Sequence, residues 1–154
     1  MLGSKAPVVI FPHLHRKILR TLGNSINPKP SFLKGKQRSI DDYPTFIMGI
    51  FTCENGKCSQ RGWESKKICT VIRKYPNNGY NAQVFNQACV SCGELGRMHI
   101  NVDSYIERVA YRLKKWAGIA VDRPPRAGSL DRSPHKSGLC EGCKRKICQA
   151  GDWE

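Results

Sequence analysis

Apolar residues recur along this chain with a period that changes from segment to segment. Leu14, Ile18 and Leu22 stand four apart between Pro12 and Gly23, with Arg16, Lys17 and Arg20 among them. That recurrence gathers the apolar side chains on one side of a helix, and proline and glycine suit its start and stop, so a short amphipathic helix is predicted. It either packs on the body or meets a membrane surface or a partner. Residues 24–39, NSINPKPSFLKGKQRS, mix Pro, Gly, Ser and charge and read as linker.

From Thr45 the pattern turns to β. TFIMGIFT runs straight into Cys53, and KKICTVIRKY is separated from YNAQVFNQ by Pro76-Asn77-Asn78-Gly79. An Asn-Gly pair between two strand-like runs is a strong hairpin signal. Three antiparallel strands are therefore expected within residues 45–87. Helical spacing returns with Ile106, Val109, Ala110, Leu113 and Trp116; Asp103 is the expected N-cap and Gly118 the stop. This stripe should cover one face of the sheet. Residues 122–138, rich in Pro and Ser, form a loop before the last cysteines, and no internal repeat is present.

These elements give an α+β fold with a three-stranded antiparallel sheet and one long helix. Composition divides it into residues 1–39, a basic N-terminal arm with the short amphipathic helix, and residues 40–154, a domain that holds all eight cysteines. The formal charge is +14, and residues 1–40 hold eight Lys or Arg and no acid. The remainder holds 18 basic and 12 acidic residues. Such a balance suits an anionic partner such as nucleic acid, or a solvated basic tail.

Only 40% of residues are hydrophobic, so the core is small and needs help from metal or disulfides. The apolar run near the start, Val8 to Phe11, ends at Pro12, short of the roughly seven residues of a secretory signal. No stretch reaches the about 18 apolar residues of a membrane span. The expectation is an intracellular protein, cytoplasmic or nuclear, without a transmembrane anchor. Thiols there stay reduced, and reduced cysteines in close pairs point to metal.

Three clusters carry that chemistry: Cys53-x4-Cys58, Cys89-x2-Cys92, and His135-x4-Cys140-x2-Cys143-x4-Cys148. Seven thiols and one imidazole make two tetrahedral sets, which suits two zinc ions in two zinc knuckle-like sites and makes residues 40–154 a zinc-binding domain. A lone C-x2-C also fits a redox motif; three clusters with a flanking histidine are far more specific. The hairpin returns the chain to where it left, so Cys53 and Cys58 should meet Cys89 and Cys92 at one end. His135, Cys140, Cys143 and Cys148 then form a local site, the alternative being an interleaved arrangement with Cys140 and Cys143 facing the first pair. Cys69 sits mid-strand without a partner at ligand spacing and reads as a buried apolar thiol. His13, His15 and His99 also lack cysteine neighbours at useful spacing.

No catalytic pattern is found. Zinc deaminases use H-x-E with a later P-C-x-x-C. Here Ile100-Asn101 follow His99, Lys136-Ser137 follow His135, and Ala88 and Leu139 precede Cys89 and Cys140. Metalloprotease, nucleophile-elbow and phosphate-loop motifs are absent as well. The expectation is a protein that is not an enzyme and takes no small-molecule substrate.

The succession CENGKCSQRGWESKKI, YNAQVFNQACVSC, DSYIERVAYRLKKWAGI and PHKSGLCEGCKRKIC resembles the 3CxxC-type zinc-finger domain from about Ile47 to Cys148. The resemblance is to uncharacterised fungal members and, at greater distance, to the receptor-transporting and zygote arrest proteins of animals. The resemblance implies that the eight residues of the three clusters match the metal-binding pattern. It also implies a role for Trp63 and Ser65, which fall in a W-x-S segment, with Trp63 a core or zinc-shielding residue. Cys69 is an extra thiol, and Lys146 stands where glycine is common. Function follows less directly: a structural zinc-binding interaction module for protein or RNA, a trafficking or chaperone adaptor like the receptor-transporting proteins, or a thiol redox or metal-handling protein.

Overall fold

The computed structural model describes residues 5–31, 38–120 and 137–145. Its centre is the hairpin of two long strands, β3 (Asp41–Thr52) and β4 (Gly62–Tyr75), extended by β5 (Gly79–Phe85). Short strands complete a six-stranded sheet: β1 (Val8–Val9), β2 (Lys29–Pro30) and β6 (Arg97–Ile100). The order is β1-β5-β4-β3-β6, antiparallel throughout except that β2 adds to β5 in parallel. The β4–β5 turn is made by Asn77 and Asn78, both at positive φ (61° and 65°), and Gly79 already opens the next strand. Asparagine tolerates that region because its short polar side chain bonds locally.

Register shifts once, between Ile47 and Gly49 of β3. The extra residue is on β4, where Lys66 and Lys67 stand opposite the single Met48, and Met48 finds its backbone partners elsewhere. Its N–H donates to Ser104 Oγ at 3.1 Å and its carbonyl accepts from the Asn101 N–H at 2.8 Å. Gly49 then lets β6 come close, since a Cβ there would stand 2.8 Å from the His99 carbonyl oxygen and 2.9 Å from Ile68 Cδ1.

The faces of β4 alternate with the pleat. Ile68 and Ile72 join Ile47, Phe51, Val84 and Met98 in a core roofed by two helices, α1 (His15–Leu22) and α2 (Val102–Trp116). Leu14, Ile18 and Leu22 face it from the α1 side, and Tyr105, Ile106, Val109, Ala110 and Leu113 from α2. On the opposite face Cys69, Val71 and Phe85 are covered by Cys140 and Cys143 from the C-terminal segment. Both faces of mid-β4 are thus buried, and all five residues of ICTVI, Thr70 included, lie inside.

Several expectations are corrected. The three strands of residues 45–87 are present, but the sheet has six, because Val8–Val9, Lys29–Pro30 and Arg97–Ile100 are too short to show a period. The short amphipathic helix and the long helix are α1 and α2, and a one-turn α3 (Glu141–Lys144) is added to them. The cap of α2 is Asn101, whose side chain accepts from the Ser104 N–H, while Asp103 lies in the first turn. Asn101 holds the extended backbone that a cap requires. Segment 1–39, set apart by its charge, contributes β1, β2 and α1 to the same sheet and core.

His15 ties α1 to the sheet: its Nδ1 and the Tyr80 hydroxyl share a hydrogen bond of 2.6 Å. Burial holds its pKa below the ordinary 6.5, because desolvation disfavours the charged ring. Neutral His15 therefore favours the fold. Its contribution is complete above pH 6.5 and is lost as pH falls from there toward the lowered folded value. His15→Asn, whose amide can pair with the Tyr80 hydroxyl without titrating, is expected to flatten this part of the profile. Unfolding free energies of the two proteins between pH 7.5 and 5.5 should diverge; parallel curves would remove His15 as the cause.

Candidate metal centre

Two tight turns meet at one end of the long hairpin. Leaving β3, the Cys53 N–H donates to the Arg61 carbonyl (2.9 Å) and the Cys58 N–H to the Asn55 carbonyl (3.0 Å), with Asn55 Oδ1 accepting from the Lys57 N–H (3.1 Å). Beyond β5, the Cys89 N–H donates to the Glu94 carbonyl (2.8 Å), and the Cys89 carbonyl accepts from the Gly93 N–H (2.7 Å). Gly93 has φ +77°, which glycine takes without a Cβ penalty.

The four sulfurs so presented all lie within 4.8 Å of one another. Cys53 and Cys92 are 3.7 Å apart, Cys58 and Cys89 3.8 Å. A tetrahedron of zinc–sulfur bonds near 2.3 Å separates its sulfurs by about 3.8 Å, so the set fits zinc. Among the described residues this is the one group of three or more His, Cys, Asp or Glu so gathered.

The sulfurs affect one another's protons. The Asn55 backbone amide draws the Cys53 thiol down, yet burial and hydrogen bonds to Cys92, Cys89 and Cys58 push it up to about 12. Cys58 is also raised, against the pull of the Gln60 backbone amide. Cys92 is lowered to about 7 by the Glu94 backbone amide and the Asn55 side chain. A cation held by these four sulfurs would draw out the protons that remain on them.

Support for the turns comes from Gln87 and Trp63. The Trp63 ring stacks on Phe51 (4.9 Å, 6° between planes), and its Nε1–H donates to Gln87 Oε1 at 3.1 Å. Gln87 Nε2 donates to Ser65 Oγ at 3.0 Å, so one side chain holds both positions of the W-x-S segment. Gln60 Oε1 accepts from Ser91 Oγ at 2.9 Å and stands 3.8 Å from Cys89 Sγ. Nothing in the spacing of the sequence pointed to Gln87 or to its neighbour Asn86.

Asn86 is fully buried and donates to the carbonyls of Ala6 (3.0 Å) and Gly96 (2.9 Å). Its carbonyl accepts from the Glu141 N–H (3.0 Å), and the Ala88 N–H donates to the Leu139 carbonyl (2.8 Å). Residues 139–141 are therefore laid strand-like along the backbone that leads to Cys89. This places Cys140 and Cys143, 1% and 9% exposed, over Cys69 on β4. Cys140 Sγ accepts from the Cys143 N–H at 3.4 Å, as in a thiolate knuckle.

The hairpin thus unites Cys53, Cys58, Cys89 and Cys92 as expected, and Cys140 and Cys143 form a second pair against the other sheet face. His135 and Cys148 lie outside the described residues. Cys69 is buried, as read from the sequence, but within the same cluster as Cys140 and Cys143. His15 is bound to Tyr80, and His99 Nε2 approaches Thr52 Oγ1 at 3.5 Å; neither belongs to the four-sulfur group.

A family model of a zinc-binding domain, the 3CxxC zinc ribbon, matches residues 46–146. No curated protein and no solved structure matches the chain.

Proposed function

Since this chain belongs to the 3CxxC zinc-ribbon family of zinc-binding domains, we propose that it is a non-catalytic binding module, held in shape by metal, whose surface recognises RNA or protein. The observation that carries this reading is the four-sulfur group of Cys53, Cys58, Cys89 and Cys92. Four thiolates complete a tetrahedral zinc and leave no position for water or substrate, the mark of a structural site. When bound, the metal supplies cross-linking of the two turns. The chain's own residues do the rest: Asn55 and Gly93 shape the turns, and Gln87 fixes the tryptophan beside them.

We place a second zinc ion on Cys140 and Cys143, with His135 and Cys148 as the remaining ligands. The support is their burial together and the N–H···S bond within the pair. A partner with negative charge is favoured by the formal charge of +14. It is favoured too over the adaptor alternative, because the apolar stripes of α1 and α2 are turned inward. The exposed large apolar side chains Ile10, Ile40, Ile50 and Val90 stand on different segments, whereas a client-binding surface needs a contiguous patch of several hundred Å². No described helix is long and apolar enough to cross a membrane.

Metal analysis of the purified protein tests this directly. Two zinc ions per chain are expected, falling to one in Cys140→Ser/Cys143→Ser. A wild-type content of one ion, unchanged in that double variant, would remove the second site; no metal at all would remove the module reading.

A further inference from the structure

The roof of the sheet carries unusual chemistry on its outer side. Leu14, Ile18 and Leu22 are 4%, 1% and 2% exposed, so α1 spends its whole apolar stripe on the core. Arg16, Lys17 and Arg20, on the far side of that helix, are exposed. None of them forms an ion pair among the described residues, and the first carboxylate in the chain is Asp41. Beside α1, the outward positions of α2 include Tyr111, Lys114 and Lys115, with Glu107 as the nearby acid. The Tyr111 ring, half-buried, has the Lys115 ammonium and the Arg112 guanidinium each 6.0 Å from its centre.

From this we infer that the outer face of the α1–α2 layer is a binding surface for single-stranded RNA; the inference rests on the reading of the protein as a module with an anionic partner. Arg16, Lys17 and Arg20 contact phosphates, and Tyr111, with the Lys115 ammonium 6.0 Å from its ring while Arg112 is stacked on Tyr43 at 3.4 Å, offers a stacking position for an unpaired base. A bilayer is the poorer fit. Membrane-surface helices bury their apolar side in lipid, and here that side is already inside the protein. Acidic protein segments would satisfy the cations but leave the ring without a stacking partner. Duplexes hide their base faces. Single strands offer both phosphate and exposed base, and sequence-tolerant binders pair a cationic track with aromatic rings in this way.

The test uses the full-length, zinc-loaded protein and a fluorescein-labelled, mixed-sequence, single-stranded oligoribonucleotide, read by anisotropy across a salt series. Arg16→Ala/Lys17→Ala/Arg20→Ala should lower affinity on the order of 50-fold at physiological salt and make the log–log salt slope shallower by about 2, since each phosphate contact contributes about 0.7. Tyr111→Ala should lose about ten-fold with the slope unchanged, as loss of stacking predicts. Lys5→Ala/Arg38→Ala/Lys66→Ala removes the same charge from exposed positions away from α1 and from the metal turns, and should change affinity little. Zinc content and thermal midpoint, unchanged in every variant, establish that each is folded.

Equal losses in both triple variants would mean that overall charge alone binds RNA, and would overturn the assigned surface. RNA binding that disappears on chelation yet ignores the α1 triple would overturn the surface and keep the module reading. Failure of the zinc-loaded protein to bind RNA, with binding of polyglutamate or of phosphatidylserine vesicles instead, would overturn the inference in favour of an acidic protein or a membrane.

Discussion

Cys89→Ser is expected to leave the chain unfolded at neutral pH, with far-UV dichroism matching that of the chelator-treated wild type and the zinc of the four-sulfur site missing. Cys89 is fully buried, and its sulfur stands 3.8 Å from that of Cys58. Serine offers a neutral hydroxyl in place of a thiolate. Zinc binding in small domains is worth about 10–16 kcal/mol at neutral pH, as large as the whole stability of a typical domain, about 5–15 kcal/mol. Losing it removes more than the core can replace. The damage also spreads, because the backbone just before Cys89 holds Leu139 and Glu141. Cys69→Ala, which leaves every proposed ligand in place, should keep both metal and fold.

The same site sets a pH dependence. Cys53 sits near 12 without metal and Cys58 is raised, so zinc must expel protons to bind at neutral pH. Affinity should therefore rise with pH and fall on acidification. Zinc titrations against a competing chelator at several pH values measure the slope. A Cys89→Ser protein that kept native dichroism and full metal, or an affinity indifferent to pH, would disprove the ligand assignment.

Phe51→Ala is expected to cost about 3–5 kcal/mol, the usual range for truncating a buried aromatic residue. Phe51 is 2% exposed and pairs with Trp63 on β4 and Met98 on β6. Its ring stacks on Trp63, and its Cβ faces the backbone of Gly96, where an added Cβ would stand 3.3 Å away. It thus links the helix-side core to the residues beside the metal turns, two positions before Cys53. Phe51→Leu, which keeps most of the volume, should cost less than about 1.5 kcal/mol. Denaturant titration with zinc in excess measures both. A loss below about 1 kcal/mol for the alanine variant would show that Phe51 is not the bridge its packing indicates.

The parts of this molecule with a repeating local cause were legible in the sequence. Period four gave α1 and most of α2, alternating and β-branched runs gave the strands of the long hairpin, and the hairpin gave the meeting of Cys53 and Cys58 with Cys89 and Cys92. What escaped was whatever depends on a partner distant in the chain. Val8–Val9 and Lys29–Pro30 are strands because β5 has an open edge beside them, not because two residues carry a pattern. The cap of α2 fell to Asn101 over Asp103 because Met48, opposite the bulge of β4, bonds Asn101 and Ser104 and so fixes where that helix begins.

Local chemistry, then, determined the element types, the thiol pairs and the excess of positive charge, since each depends on neighbours a few residues away. Only the tertiary fold decided that Gln87 would hold Trp63 and Ser65, that Cys69 would lie under Cys140 and Cys143, and that the basic helix would spend its apolar side on the core. Those arrangements join residues tens of positions apart, and the close packing that selects them exists only once the sheet has formed.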